Sequence, residues 1–482
     1  MDFFSIVLFL VLYYIRPYEW LSWVAVLKPI MICMALAIFA MFNRERGFVF
    51  RDIFRTPHDW MMMSFFVWIV ISAGNPFDAL GRCYNLFVFY IVIVQALSNL
   101  ERIQSFLNWW LTMLLLVAFM ALASEYGFDP TGAYDVTHGI MKNRLVLNTS
   151  LFNNPNALGH TVVPCLMMLY YVWYWKRPIF SKIATIPLVA MVLYCIYLTV
   201  SKGSFLSAFA SLVVTYSFGR PKAVQIAILV LAITVGYGAL YALPRMDDLK
   251  KAQSDPGIQG RLAAWQFGME MLQTRATGVG LGQFIPAFTK THTYEKASHG
   301  SYVQVGTETG AIGLFFYLGI LYCNARTLIT AKTKSIEEER IRRILFAFLC
   351  GYFVSSWMVD MGFRATYFFI AAATAAFHRR MLLNNQTELP KSNEVEVRPF
   401  SGGFSRQLPI GVEERYLAAP IKKPLAPAPV IFSFTAESTK EKEKVADVPG
   451  ITWNRIGVRD LISMGILLFL AVQLWRYLMY HI

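Results

Sequence analysis

Charge is scarce in this chain. Asp, Glu, Lys and Arg supply 15% of its 482 residues, against about 25% in an average soluble domain. Apolar residues reach 56%, aromatic residues 15%, and mean hydropathy is +0.46. This balance excludes a pair of soluble domains and reads as an all-α, polytopic integral membrane protein. Cysteine is sparse as well: Cys33, Cys83, Cys165, Cys195, Cys323 and Cys350 lie in or beside apolar segments, and none has Cys-x-x-Cys spacing. They read as buried structural thiols, and nothing in their spacing points to zinc. The first apolar stretch, Phe3 to Ile15, lacks a basic leader and a small-residue cleavage site, so it reads as a retained helix and not a signal peptide.

What the chain has in abundance is apolar runs sized for a bilayer core of about 30 Å. The candidate spans are 3–15, 20–42, 60–74, 83–98, 105–123, 157–175, 183–200, 203–219, 223–243, 301–324, 344–359 and 365–378. They predict about 12 transmembrane helices, and 461–480 adds one C-terminal helix after a polar tail. The second span either runs from residue 20 or begins after Pro29, with 17–28 in the interface.

Orientation follows from Lys and Arg in short connections. With the N-terminus in the cytoplasm, the inner connections hold Arg44, Arg46, Arg51, Arg55, Arg102, Lys176, Arg177, Lys182, Arg220, Lys222, Arg326, Lys332, Lys334, Arg340, Arg342 and Arg343. The short outer connections hold only Arg16, Lys28, Arg82, Lys202 and Arg364. The net charge of +14 is therefore largely topogenic, and no nucleic-acid partner is expected. Two long loops, 124–156 and 244–300, fall outside. In the second, Leu262, Trp265, Met269 and Leu272 recur at helical spacing, as in a helix lying on a membrane surface. The expected organisation is N-terminal membrane helices over 1–123, a central membrane domain over 124–380, a flexible polar linker over 381–459 and the last helix over 460–482. The last helix would serve either as an anchor or as a docking element.

Four polar clusters map to the outer face: Phe152-Asn-Asn-Pro-Asn-Ala-Leu-Gly, Thr199-Val-Ser-Lys-Gly-Ser, Gly260-Arg-Leu-Ala-Ala-Trp with Gly278-Val-Gly-Leu-Gly, and the segment from His299 to Gly313. Their order and spacing resemble the O-antigen ligase and polymerase superfamily over roughly residues 140–320. His299, Gly310 and Gly313 fit the hallmark of that family, a His, a small polar residue, nine spacers and Gly-x-x-Gly. Gly300 departs from it, standing where Asn, Ser or Gln is usual. Ser201-Lys202-Gly203 replaces the family's Ser-Arg-Gly, which keeps the charge and loses bidentate phosphate recognition. The opening Tyr14-Ile-Arg-Pro-Tyr-Glu-Trp resembles a subgroup of O-glycosylation ligases associated with exosortase systems.

The resemblance implies a glycosyltransferase of the bacterial inner membrane whose site faces the periplasm. It would move an oligo- or polysaccharide from an undecaprenyl diphosphate carrier to a protein hydroxyl, a lipid-linked core sugar or, in polymerases, a growing chain. Membrane lipid and polysaccharide-assembly or exosortase-associated proteins are the remaining implied partners. Such chemistry needs a group to accept or orient a hydroxyl proton, and His299 is preferred because imidazole titrates near neutrality. It also needs cations for the departing diphosphate: Arg261 and Lys202, with Arg275 and Arg144 as further candidates. No cofactor or metal is required in principle, since the leaving group carries its own charge. Asn154 and Asn156 read most simply as a turn and helix cap. Gly280, Gly310 and Gly313 are turn positions, and Glu308 would pair with an arginine or lie near water. A transporter is disfavoured because few ionisable residues fall mid-helix and no inverted repeat is evident. A scaffold would explain the tail but leave the motifs without purpose.

Overall fold

The computed structural model describes residues 2–43, 53–242, 256–387 and 450–481. Among them every regular element is helical. A helix occupies each predicted span, and its start is commonly written in the sequence as a cap followed by proline. Asn75 before Pro76–Ala96 accepts from the N–H groups of Phe77 and Asp78, Asn154 before Pro155–Val162 accepts from Asn156, and Thr56 forms a capping box with Asp59 ahead of Pro57–Ser72. Proline suits the first helical position because its missing N–H would have no partner there.

Among the described residues, five helices are long and apolar enough to cross a membrane: Pro76–Ala96, Leu100–Ser124, Ile179–Leu198, Ser301–Thr330 and Val458–His481. The other predicted spans lie in helices that are shorter, interrupted or less apolar, such as the short Asp2–Tyr14. The stretch 20–42 breaks into Ser22–Val26 and Pro29–Phe42, and 157–175 breaks at Pro164 and ends in a π-helical turn, Tyr170–Tyr174. The chain is a multi-pass membrane protein, all-helical among its described residues.

Small residues let these helices approach closely. Ser204, Ser207, Ala208 and Ser211 of Lys202–Ser217 are buried, and the helix packs against Ile336–Ser355, where a Cβ on Gly351 would sit 2.5 Å from Ser211 Oγ. Ala371, Ala372, Ala373, Ala375 and Ala376 of Ala365–Thr387 are likewise buried, in a helix that packs mainly on Pro76–Ala96.

The helix Ser301–Thr330 differs most from expectation. Gly310 has φ 70° and ψ −174°, so the predicted span 301–324 is two helices meeting at a bend. They fold back on each other: the Tyr302 and Tyr317 rings lie 6.0 Å apart, and a Cβ on Gly306 would sit 3.3 Å from Leu314. A side chain at Gly310 would strike the Ala276 carbonyl oxygen, and one at Gly313 would strike the Thr309 hydroxyl. Gly310 is therefore the bend itself, in a backbone region open essentially to glycine, and Gly313 makes room for Thr309 beside it. At 1.5 Å per residue, the first half of this helix sets residues 298–300 roughly 15 Å from the Gly310 tip.

Two further expectations are corrected, and the last helix gains a packed position. The amphipathic stretch at 261–273 belongs to the helix Pro256–Thr274, whose apolar face is covered by protein: Ala264, Trp265, Phe267 and Met269 are buried against Ser301–Thr330 and the last helix. Gly268 permits this, because a Cβ there would come within 3.0 Å of Thr307, Trp475 and Val303. The last helix, Val458–His481, packs on Ser301–Thr330 and Pro256–Thr274. Its buried Trp475 wedges against Gly268 and Gly306, and Met464 lies against Gly319. Finally, both ends of the predicted linker 381–459 are structured. Residues 381–387 continue a helix, Lys332 donates its main-chain N–H to Gly450 at 2.9 Å, and Ile451 and Trp453 are buried. The middle of that linker, and residues 244–255 of the predicted outer loop, lie outside the described residues.

Candidate active site

The site is built on two helices running alongside each other, Pro256–Thr274 and the first half of Ser301–Thr330, closed by the turn after Ile336–Ser355. Trp265, one turn beyond Arg261, donates its indole N–H to the Ser298 carbonyl at 2.9 Å. This bond ties the helix carrying Arg261 to the loop carrying His299.

His299 has φ 47°, a left-handed conformation that costs a non-glycine residue about 1–3 kcal/mol and persists only when neighbours impose it. Asp360 is what imposes it. Its Oδ2 accepts from the His299 N–H at 3.2 Å, its Oδ1 from the Gly300 N–H at 2.9 Å, and the Ser298 hydroxyl also donates to Oδ1. The loop is pinned again one residue on: Ser301 donates its N–H to the Ser356 carbonyl at 2.6 Å and its hydroxyl to the Val359 carbonyl at 2.8 Å. Asp360 is thus the partner that positions His299, acting through the main chain. Sequence reasoning missed it, since it lies 61 positions away in a turn with no motif around it.

Burial pushes the His299 imidazole down to about 4; Asp360 pulls the other way, and Arg261 and Lys296 push it lower still. At neutral pH the ring is uncharged, with a lone pair available to a hydroxyl. It is only partly buried, whereas His160 is sealed with Nδ1 3.0 Å from Ser355 Oγ. The other histidines of this region are occupied elsewhere. His138 bonds Glu125 at 2.9 Å and Asn143 at 2.8 Å, and His292 stacks on Phe288.

The expected cations separate into groups. Arg261 acts electrostatically on both His299 and His160 and so lies within the cluster. Lys202 opens the helix Lys202–Ser217 beside Gly203, where a Cβ would sit 2.8 Å from His160 Nε2 and 3.0 Å from Met358, two residues before Asp360. Arg144 braces the scaffold, donating to the Thr199 carbonyl at 3.1 Å and to Asn156 Oδ1 at 3.1 Å. Asn154 and Asn156 therefore cap and brace the start of Pro155–Val162. Arg275 follows the far end of Pro256–Thr274. Fourteen residues of helix separate it from Arg261 by about 21 Å, so it is not among the groups gathered around His299.

Glu308 pairs with main-chain amides and not with an arginine as expected. It accepts from Gly282 at 2.9 Å and Phe284 at 3.3 Å, at the start of the helix Phe284–Thr291. Gly278, Gly280 and Gly282 all have positive φ, which lets this strap run against residues 307–308; Gly280 donates its N–H to the Glu308 carbonyl at 2.9 Å. The Tyr14–Trp20 motif also acquires a physical role. Glu19, bonded to Arg16, accepts from the Ser150 N–H and hydroxyl, both at 2.7 Å, and Arg364 donates to the Leu151 carbonyl at 3.2 Å. Together they anchor the loop leading into Asn154.

No curated protein matches the chain. A family model described as O-antigen ligase matches residues 186–318, the segment that contains Lys202, Arg261, His299, Gly310 and Gly313. Over this segment the chain is similar to the O-antigen ligase family.

Proposed function

We propose that this protein is a glycan ligase that moves an oligo- or polysaccharide from undecaprenyl diphosphate to an acceptor hydroxyl, on a protein or a lipid-linked core sugar. The reaction takes place at the periplasmic face of the bacterial inner membrane. The observation that carries the reading is the juxtaposition of an accessible, uncharged His299 with Arg261, both held by the Trp265 and Asp360 bonds. The positive-inside bias supports the orientation: Arg102, Arg340, Arg342 and Arg343 gather at the end of the bundle opposite His299, among the connections that hold Asp2, Trp175 and Phe218.

In the transfer, the acceptor oxygen attacks the anomeric carbon while the bond from that carbon to the diphosphate oxygen breaks. The bonding electrons leave with the diphosphate, which Arg261 stabilises, and the hydroxyl proton passes to His299. The charge environment times this event. Without substrate, burial first, and then the positive field of Arg261 and Lys296, keep the imidazole a weak base against the pull of Asp360. A bound diphosphate cancels that field, so basicity rises only when a donor is in place.

Purified protein, a lipid-diphosphate glycan and candidate acceptors test the reading directly. Wild type is expected to yield product and release undecaprenyl diphosphate, and His299→Ala to yield neither; full activity in the variant refutes the assignment. A second lipid-linked chain offered as acceptor separates a polymerase from a ligase. Labelling a cysteine placed beside His299 from the periplasmic side tests the orientation, and labelling only from the cytoplasm overturns it.

A further inference from the structure

We propose that Lys296 is a substrate-contacting residue whose ammonium takes one phosphate of the carrier diphosphate while Arg261 takes the other. The inference rests on the carrier reading above and adds a residue that no motif singles out.

Three observations place it. The Lys296 side chain lies over Gly260, the residue before Arg261; a Cβ there would sit 2.7 Å from Nζ and 2.8 Å from Cε. The absence of a side chain at Gly260 thus lets the ammonium reach the main chain beside Arg261. Lys296 is partly exposed, so a ligand can reach it, unlike the buried Arg340 at the other end of the bundle. Its charge and that of Arg261 both act on His299.

The groups that face His299 come from three elements: Arg261 from Pro256–Thr274, Lys296 from the same loop, and Asp360 from the turn after Ile336–Ser355. Asp360 is engaged by Ser298, His299 and Gly300. A diphosphate presents two anionic centres, and the pair offers one planar fork and one mobile point charge to meet them.

The test uses the full chain in lipid nanodiscs, with undecaprenyl diphosphate and undecaprenyl monophosphate as probes. Lys296→Ala is expected to weaken diphosphate binding about tenfold or more and monophosphate binding about threefold or less. Lys296→Arg should recover most of the loss, and Lys296→Gln, which keeps the side-chain stem, should repeat it in a well-packed background. The acid limb of the transfer rate should also move to higher pH in Lys296→Ala, because removing a positive charge eases protonation of His299. Unchanged diphosphate affinity in Lys296→Ala, or equal weakening for both lipids, overturns the inference alone. Wild-type protein that binds neither lipid overturns the carrier reading with it. His299→Ala, expected to bind diphosphate and lose transfer, separates binding from chemistry.

Discussion

The two ends of the bundle use their acidic residues in opposite ways. At the basic end, carboxylates neutralise arginines. Glu339 bonds Arg342 at 2.8 Å and Arg343 at 2.6 Å, Asp2 bonds Arg102 at 3.0 Å, and Glu337 and Asp460 pair with Arg340 and Arg326. The same arginines donate onward to the carbonyls of Trp175, Phe218 and Leu328, so charge there closes the fold. At the site end, Asp360 and Glu308 accept mainly from main-chain N–H groups. The acids there shape loops, and the positive charge of Arg261 and Lys296 is directed at His299. Asp360 opposes that charge at His299 while its bonds to the backbone fix the loop's geometry.

The largest expected effect breaks this contrast at its centre. Asp360→Asn keeps the shape but puts a donor where N–H groups already donate, so residues 298–300 must shift. A displacement of about 1 Å at a reacting group costs on the order of 100-fold in rate, and transfer per folded molecule should fall by at least that much. Glu339→Gln, its counterpart at the basic end, should lower the unfolding temperature and leave the rate per folded molecule unchanged. Thermal unfolding and transfer assays on both variants decide the matter. The contrast fails if Asp360→Asn merely destabilises.

The same contrast shows what was legible in the sequence. Helices were, because apolar runs and cap–proline starts are local signals, and so were His299, Arg261 and the Gly310–Gly313 pair. Asp360 and Lys296 were not, because their importance comes from tertiary proximity and neither sits in a recurring pattern. The spacing of Gly310 was readable, but the fold-back it creates depends on the Ala276 and Thr309 contacts. Arg275 stood close to Arg261 in the list of cations, yet helical rise carries it about 21 Å away. Glu308 was read as pairing with an arginine or lying near water, and the N–H groups of Gly282 and Phe284, from the strap before it, take its carboxylate.

A second test uses the helix that joins the two ends. Val458–His481 starts beside Arg326, which bonds Asp460, and reaches Trp475 between Gly268 and Gly306. Trp475→Ala should cost about 3–5 kcal/mol of stability and also release the helix that carries Arg261, so the transfer rate should fall along with the unfolding temperature. Met464→Ala, lower on the same helix against Gly319, should cost about 2–5 kcal/mol with little change in rate per folded molecule. Equal rate losses in the two variants would show that the last helix supports the bundle as a whole and not the site.

The smallest effect concerns Gly300, where the chain departs from the family pattern. Its φ of −166° is open to any residue, the nearest atoms to an added Cβ are 3.5–3.6 Å away, and no side chain caps the helix that follows. A serine therefore fits, and Gly300→Ser should stabilise by a few tenths of a kcal/mol, since serine exceeds glycine only slightly as a cap. The rate should change by less than about threefold, because Asp360 already holds the His299 and Gly300 N–H groups and a new hydroxyl leaves those bonds in place. A gain of tenfold or more in Gly300→Ser would mean that main-chain bracing leaves His299 under-oriented. The difference between the two ends would then lie in a missing side chain and not in what the carboxylates bind.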